Sequence, residues 1–497
     1  MMKRIISIMI LSIFAACGCG QFSLNKDMLS KESIDKEISK GNFTEAGKLI
    51  RIKIAEDSLT ENEIYDLNFR IEIMRRIAMD FSKTRDTIIS KLKKYYPVLS
   101  EQQIKDWEDS RALENITIDG RKMFFNEAVH NLFRIDLSAK ARRDSIYGPA
   151  GNTLGDFLEK YLPEVIKAED AIKGRNRFEH LAMPVKMRIK YTVEVPEGTV
   201  PAGETIRAWL PYPHDLYSQR NIKFLSAAGA DYIIAPDSFS QRSIYMEKKA
   251  RKGKSTIFGY ELEYVSYNHF FRFSEKDVKP YDTSTASYKH YTAQRAPHVI
   301  FTKDIKHLSD SLTAGITNPV SKALRIYDYI KNNYPWASAR EYSTIKNIPQ
   351  YVLDNHHGDC GQVALLFITM ARYEGIPARW QSGWMMHPGD INLHDWAEAY
   401  FEGIGWVPVD QSFGRDIAET GTSKEDAWKR GSIYDYYMGG LDAYRFIVNS
   451  DFSRPFYPAK IYPRSETVDF QRGELEWKGG NLYFNKWHYN MEVSYIK

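Results

Sequence analysis

Between Gly358 and Pro377 the chain reads Gly358-Asp359-Cys360, then Val363, Ala364, Leu365, Leu366, Phe367, Ile368, Met370 and Ala371, then Gly375-Ile376-Pro377. A run this apolar has length for about four helical turns and no polar face to turn to water, so it predicts a buried helix. Glycine after the last apolar residues and proline shortly beyond are helix-stopping chemistry. Cys360 is thereby placed at the N-terminus of that helix. A thiol is a good nucleophile as thiolate, and a helix N-terminus with an adjacent imidazole lowers its pKa. A depressed thiol pKa is the expectation for Cys360.

The imidazole would come from His394, which opens the strand-like His394–Phe401, and a carboxylate from Asp410, which ends the strand-like Trp406–Asp410. A carboxylate behind an imidazole fixes its tautomer and stabilises the imidazolium. Side chains alternate faces along a strand, so pairing register decides whether Asp410 can reach His394. If Phe401 faced Trp406, Asp410 would fall opposite Ala397 and point away from His394. The expectation is instead a three- or five-residue loop with Gly403 or Gly405 at positive φ, or a bulge near Pro408. Either device sets Asp410 opposite Trp396 or Glu398, diagonal to His394.

Gly358-Asp359-Cys360, Gly375-Ile376-Pro377-Ala378-Arg379, His394-Asp395-Trp396, and Gly405-Trp406 leading to Asp410 occur in that order. This segment resembles the transglutaminase-like superfamily of papain-type folds. The resemblance implies a catalytic triad of Cys360, His394 and Asp410 and acyl transfer from an amide through a thioester, with no cofactor. It does not name the acceptor. Water would make the protein a protease or amidase, and an amine a cross-linking transglutaminase. A third reading is a catalytically silent, lipid-anchored peptide-binding protein. Hydrolysis is the expectation, because no feature marks a protected amine-acceptor site. The partners expected are peptide or protein substrates, cell-wall peptides among them.

Four further residues are candidates for substrate or supporting contacts. His357 precedes the nucleophile closely, Trp336 and Tyr342 are candidates for a second oxyanion donor beside the Cys360 amide, and Trp396 either packs or walls the acyl pocket. A metal site from His356 and His357, beside Asp359, with His394 and Asp410 is not expected, since adjacent histidines diverge and zinc-ligand spacings are missing. Gly439-Gly440-Leu441-Asp442-Ala443-Tyr444-Arg445 either lines the site or makes an internal Asp-Arg salt bridge.

The chain begins with Lys3 and Arg4, an apolar run from Ile5 to Phe14, and Ala15-Ala16-Cys17. That pattern predicts an export signal over residues 1–16, too short to span a membrane, with Cys17 acylated as in bacterial lipoproteins and Cys19 as a weaker acceptor. The expected location is the cell envelope, with the membrane reached through the N-terminal lipid. Of three cysteines only Cys360 lies in the body of the chain, so no internal disulfide is available there. A formal charge of +4, from which Lys3 and Arg4 leave with the signal, and no long like-charge run exclude nucleic acid as a partner.

With 497 residues, 43% of them hydrophobic, the chain can bury several cores. The expected fold class is α+β and multidomain. A helical N-terminal domain is expected over 17–180, with Thr60-x-x-Glu63 and Ser100-x-x-Gln103 starting helices and Phe124 and Phe125 in its core. Strict alternation from Val185 to Val195, then strands at 206–210, 232–234, 243–247 and 256–267, predict an antiparallel β-sandwich over 181–280. A transglutaminase-like, papain-type α+β catalytic domain follows over 285–450, with helices near 304–312 and 319–332. A C-terminal hairpin around Gly479-Gly480 is expected over 451–497.

Overall fold

The computed structural model describes residues 29–168, 170–229, 231–413, 435–468 and 470–496. The expected signal and acylation site lie outside the described residues. The chain divides into two units, Met1–Arg85 with Asn115–Phe124, and Asp86–Glu114 with Phe125–Lys497.

The first unit packs helices α1 (Lys31–Ser39), α2 (Phe43–Glu56) and α3 (Glu61–Asp80) around Ile34, Leu49, Ile50, Leu67 and Met74. The Thr60 capping box forms in full, with the Thr60 amide bonded to Glu63 and the Glu63 amide to Thr60 Oγ1. Against the all-helical expectation, a hairpin of β1 (Asn115–Ile118) and β2 (Arg121–Phe124) completes this unit. Its turn is Asp119-Gly120, both at positive φ (46° and 78°), the two-residue geometry whose twist suits an antiparallel pair. Asp119 Oδ1 accepts from the Thr44 amide, which replaces the capping bond that Asn42 does not make to α2.

The second unit takes all but the first residue of α4 (Arg85–Leu92), then α5 (Glu101–Asp109), α6 (Ala128–Ile135), α7 (Leu137–Tyr147) and α8 (Thr153–Lys167). Phe124 in the first unit and Phe125 in the second are both buried, as expected of core residues. A two-sheet sandwich follows, built on β3 (Ile172–Lys173), β4 (Glu179–Val195), β5 (Thr205–Pro211), β6 (Gln219–Ala227), β7 (Tyr232–Ile234), β8 (Ser243–Lys249) and β9 (Thr256–Phe271). Met187, Ile189, Tyr191, Val193 and Val195 alternate into its core.

Next come α9 (Ala286–Thr292), α10 (Lys303–Thr313), α11 (Pro319–Asn333, with Pro319 in its first turn), α12 (Ile348–Asn355) and α13 (Cys360–Tyr373). They precede strands β10 (Ala378–His387), β11 (Asp390–Phe401) and β12 (Gly405–Val409). The chain then adds β13 (Gly440–Leu441), β14 (Arg445–Asn449), β15 (Glu474–Trp477), β16 (Gly480–Leu482) and β17 (His488–Ile496).

Three antiparallel sheets result, and they cross the boundaries expected at 280 and 450. One runs β13-β9-β4-β17 with β3 on β4 and β6 on β9, one β16-β15-β5-β8-β7, and one β12-β11-β10-β14. The C-terminal stretch is thus a hairpin only in part: Trp477 pairs with Gly480, whereas β17 lies along β4 from Lys186 to Glu194. β6 went unread because Arg220, Asn221 and Lys223 break its alternation, and it pairs with β9 through two register shifts.

Helix α13 is the centre of the third layer. Every residue from Gly361 to Arg372 is buried, among α10, α11, α12 and the α13 side of the third sheet. Burying Leu365, Leu366, Phe367, Ile368 and Met370 contributes about 1.5–3 kcal/mol each, which fixes where the N-terminus of α13 must stand. Gly375, at φ 76°, ends it. On the far end of the sheet, Trp384, Met386, Phe446 and Val448 share a core with the sandwich. No helix among the described residues is long and apolar enough to cross a membrane.

Candidate active site

The register of β11 and β12 is one of those expected to bring Asp410 to His394. Phe401 pairs with Gly405 and Ala397 with Val409, so the loop is Glu402-Gly403-Ile404 and Asp410 follows in register opposite Trp396. Both turn glycines are at positive φ, 85° for Gly403 and 112° for Gly405. Asp410 and His394 therefore share a face, and His394 Nε2 lies 2.7 Å from Asp410 Oδ2. Both are buried. Since Asp410 is held ionised by His394 and Arg445 against the opposing pull of burial, Nε2 carries the hydrogen and Nδ1 carries the lone pair.

Trp396 is fully buried, donates from Nε1 to Gln381 Oε1 at 2.7 Å, and stacks on the His394 ring at 5.7 Å between centroids. Phe413 covers the imidazole at 4.5 Å. Sequence reading offered Trp396 as packing or pocket wall, and here it backs the imidazole.

Cys360 stands where the sequence placed it, at the first residue of α13. Its N-cap is Asp359, whose carboxylate accepts from the Gln362 amide at 3.0 Å while the Gln362 side chain accepts from the Asp359 amide at 3.2 Å. Tyr342 Oη donates to Asp359 Oδ1 at 2.5 Å, so its hydroxyl serves the cap. Burial pushes Asp359 up to about 6 even so. Trp336 pairs with Gly358 through an isolated parallel bridge, two residues before Cys360, while its ring lies under the Arg134 guanidinium at 4.5 Å. His357 is buried against Tyr351, and among the described residues neither of its ring nitrogens has a hydrogen-bond partner. Burial lowers its pKa to about 4.

The thiol departs from expectation. Cys360 Sγ donates to Asp395 Oδ2 at 3.6 Å, and among the described residues no hydrogen bond joins it to His394. Burial pushes the thiol pKa up, and the carboxylates of Asp395, Asp359 and Asp410 push it further. A helix N-terminus contributes about 0.3–1 kcal/mol to an anion, whereas one carboxylate at 4 Å opposes it by about 4 kcal/mol in a half-shielded site. The carboxylates win. His394 is also held below its usual pKa, by burial first, with Asp410 pulling the other way. Both directions favour a neutral thiol and a neutral imidazole over the expected ion pair.

The sequence alone missed the role of Asp395, which adjoins His394 but points to the α13 face of the sheet. Its Oδ1 accepts from Gln471 Nε2, which also donates to the His394 carbonyl oxygen at 3.3 Å. The only sequence signal was parity along β11. Iodoacetamide should therefore alkylate Cys360 with a midpoint above the ordinary thiol value of about 8.5, and Asp395→Asn should move that midpoint down. A wild-type midpoint well below 8.5 would contradict this placement.

Behind Asp410 lies the Asp-x-x-Arg stretch, and both of its sequence readings apply. Arg445 donates from Nε and Nη2 to Asp442 Oδ2 at 3.2 and 3.0 Å and from Nη1 to Asp410 Oδ2 at 3.1 Å. His387 Nε2 lies 2.9 Å from Asp442 Oδ1, close enough for an ion pair though not aligned as a hydrogen bond.

Residues 306–411 match the family model of the transglutaminase-like superfamily. The chain is 26% identical over 128 residues to the uncharacterised protein YebA of Bacillus subtilis (strain 168), a match covering 22% of this chain and 17% of that protein's length. Among solved structures it is similar to a candidate cysteine protease from Cytophaga hutchinsonii, at 14% identity and a TM-score of 0.42, covering 64% of this chain and 93% of that one. It is also similar to the periplasmic domain of TgpA from Pseudomonas aeruginosa, at 13% identity and a TM-score of 0.26, covering 50% and 92%. Residues 306–411, which carry Cys360, His394 and Asp410, form a transglutaminase-like domain.

Proposed function

We propose that the protein is a cysteine hydrolase of peptide or protein amides, with Cys360 as nucleophile, His394 as acid-base and Asp410 as the carboxylate behind it. The observation that carries the reading is the buried His394–Asp410 pair at 2.7 Å, which leaves Nδ1 as the basic nitrogen. In the first step Cys360 turns from Asp395 to His394, Nδ1 takes the thiol proton, and sulfur attacks the amide carbon. The Cys360 backbone amide, at the first position of α13 and without an intrahelical acceptor, suits the developing oxyanion. The imidazolium then gives its proton to the leaving amine as the C–N bond breaks, and a thioester remains. Water, deprotonated by the same Nδ1, releases the acid and restores the thiol.

The test is mass spectrometry of products from peptide and cell-wall peptide libraries, with and without a primary amine. New carboxyl termini support hydrolysis. Amine adducts in its place would make the protein a transglutaminase, and neither product, with no thioester trapped on Cys360, would leave a peptide-binding protein.

The amino-terminal pattern supports export with lipid attachment at Cys17. Cys17→Ala should move the protein from the membrane fraction to the soluble fraction. An unchanged fractionation would count against the anchor.

A further inference from the structure

We propose that Arg445 is a positioning residue of the site, gripping the same carboxylate oxygen of Asp410 that accepts from His394 and anchored from behind by Asp442 and His387. This rests on the reading of His394 as acid-base, and deepens it.

The argument begins from the shape of guanidinium. An arginine serving only Asp442 would spend its fork on that carboxylate, as a bidentate pair. Here Nε and Nη2 both donate to the one oxygen Asp442 Oδ2, and Nη1 reaches across to Asp410 Oδ2. Asp410 is then held on every side: His394 Nε2 and Arg445 Nη1 meet Oδ2, while the Ser412 amide and hydroxyl donate to Oδ1 at 3.3 and 3.1 Å. The carboxylate has no freedom to swing away from the imidazole. Arg445 cannot move either, since its guanidinium lies over Phe413 at 4.1 Å, Trp396 at 5.3 Å and Tyr437 at 5.7 Å, and the residue is 1% exposed.

The charges make the same point. Asp410, Asp442 and Arg445 together leave one negative charge when both histidines are neutral, and the imidazolium formed during the reaction cancels it. A buried Asp410 without Arg445 would bind that imidazolium more tightly, which helps the first proton transfer and hinders its donation to the leaving amine. Arg445 offsets part of that pull. The charged and titratable groups facing His394 are Asp410 after β12, Arg445 on β14, His387 on β10 and Asp390 at the start of β11. The Cys360 thiol on α13 donates to Asp395, the neighbour of His394 on β11 that points to the other face. Arg445 is the one permanently positive member, so its removal has a definite sign: the His394 pKa rises.

The experiment uses the full chain. In Arg445→Gln, the His394 titration followed by NMR of labelled histidine should shift upward by at least half a unit, and the acid limb of kcat/KM should shift with it. The value of kcat/KM at neutral pH should fall at least tenfold. Arg445→Lys should keep the titration near that of wild type, because the charge stays, yet lose about tenfold in kcat at unchanged KM, because one ammonium cannot hold both carboxylates. The NMR titration needs no turnover, so an inactive wild-type protein with the shift intact would sink the hydrolase reading and spare this one. A His394 titration identical in folded Arg445→Gln and wild type would overturn the proposal. Where the glutamine variant does not fold, wild-type kcat in Arg445→Lys overturns it.

Discussion

Cys360→Ala is expected to abolish amide cleavage, by about ten-thousandfold or more, and to remove covalent labelling of the peptide that carries residue 360. The size of the effect follows from the chemistry, since no other cysteine stands among the described residues to take over the attack. Stability should barely change. The lost sulfur is small, its donor bond to Asp395 is long at 3.6 Å, and the substitution relieves that carboxylate of nothing it needs, because Gln471 still donates to it. His394→Ala should be nearly as damaging, whereas Asp410→Asn should keep some activity, because the carboxylate orients and stabilises without reacting. Thermal melting and far-UV circular dichroism of Cys360→Ala should overlay those of wild type. Full amidase activity in Cys360→Ala would end the enzyme reading.

What could be read from the sequence follows how local each determinant is. The apolar run of α13, with its Asp359 cap and Gly375 stop, specified a buried helix by itself, and the structure buries every residue from Gly361 to Arg372. The loop between β11 and β12 was legible for a similar reason: parity along two short strands and a pair of glycines admit few registers, and Phe401 facing Gly405 is one of them. Features that depend on distant partners were not legible. His488–Ile496 of β17 pairs with Lys186–Glu194 of β4, far back along the chain, and nothing in His488–Ile496 names that partner. The Asp119-Gly120 hairpin was legible in principle, but its strands are only four residues long and lie between helices.

The thiol was misjudged for the same physical reason. A helix N-terminus is visible in sequence, but it is outweighed by burial of the thiol and then by three carboxylates that come from the N-cap, from β11 and from beyond β12. Arg445 likewise showed its local partner Asp442 at a spacing of three, while its bond to Asp410 exists only because β14 lies beside β10.

That neighbouring of β14 and β10 gives the second large effect. Gly383 of β10 faces His394 on one side and Ile447 of β14 on the other. A Cβ built there would sit 1.8 Å from the Phe446 carbonyl oxygen and 2.9 Å from its carbon. These are backbone atoms of a paired strand and cannot rotate aside, so Gly383→Ala must push β14 off β10 or bend both. Overpacking of this kind costs about 1–3 kcal/mol where side chains can yield, and the upper end or more is expected here. Phe446 and Val448 would move in the core that they share with Trp384 and Met386, and Arg445 would be drawn off Asp410. Gly383→Ala should therefore lower the denaturant midpoint strongly and, in whatever fraction stays folded, raise the His394 titration as Arg445→Gln does. Gly151→Ala, whose added methyl meets nothing within 4 Å, is the control and should leave both unchanged. If Gly383→Ala unfolds at the wild-type midpoint, β14 does not pack on β10 at this distance, and the route from Arg445 to Asp410 falls with it.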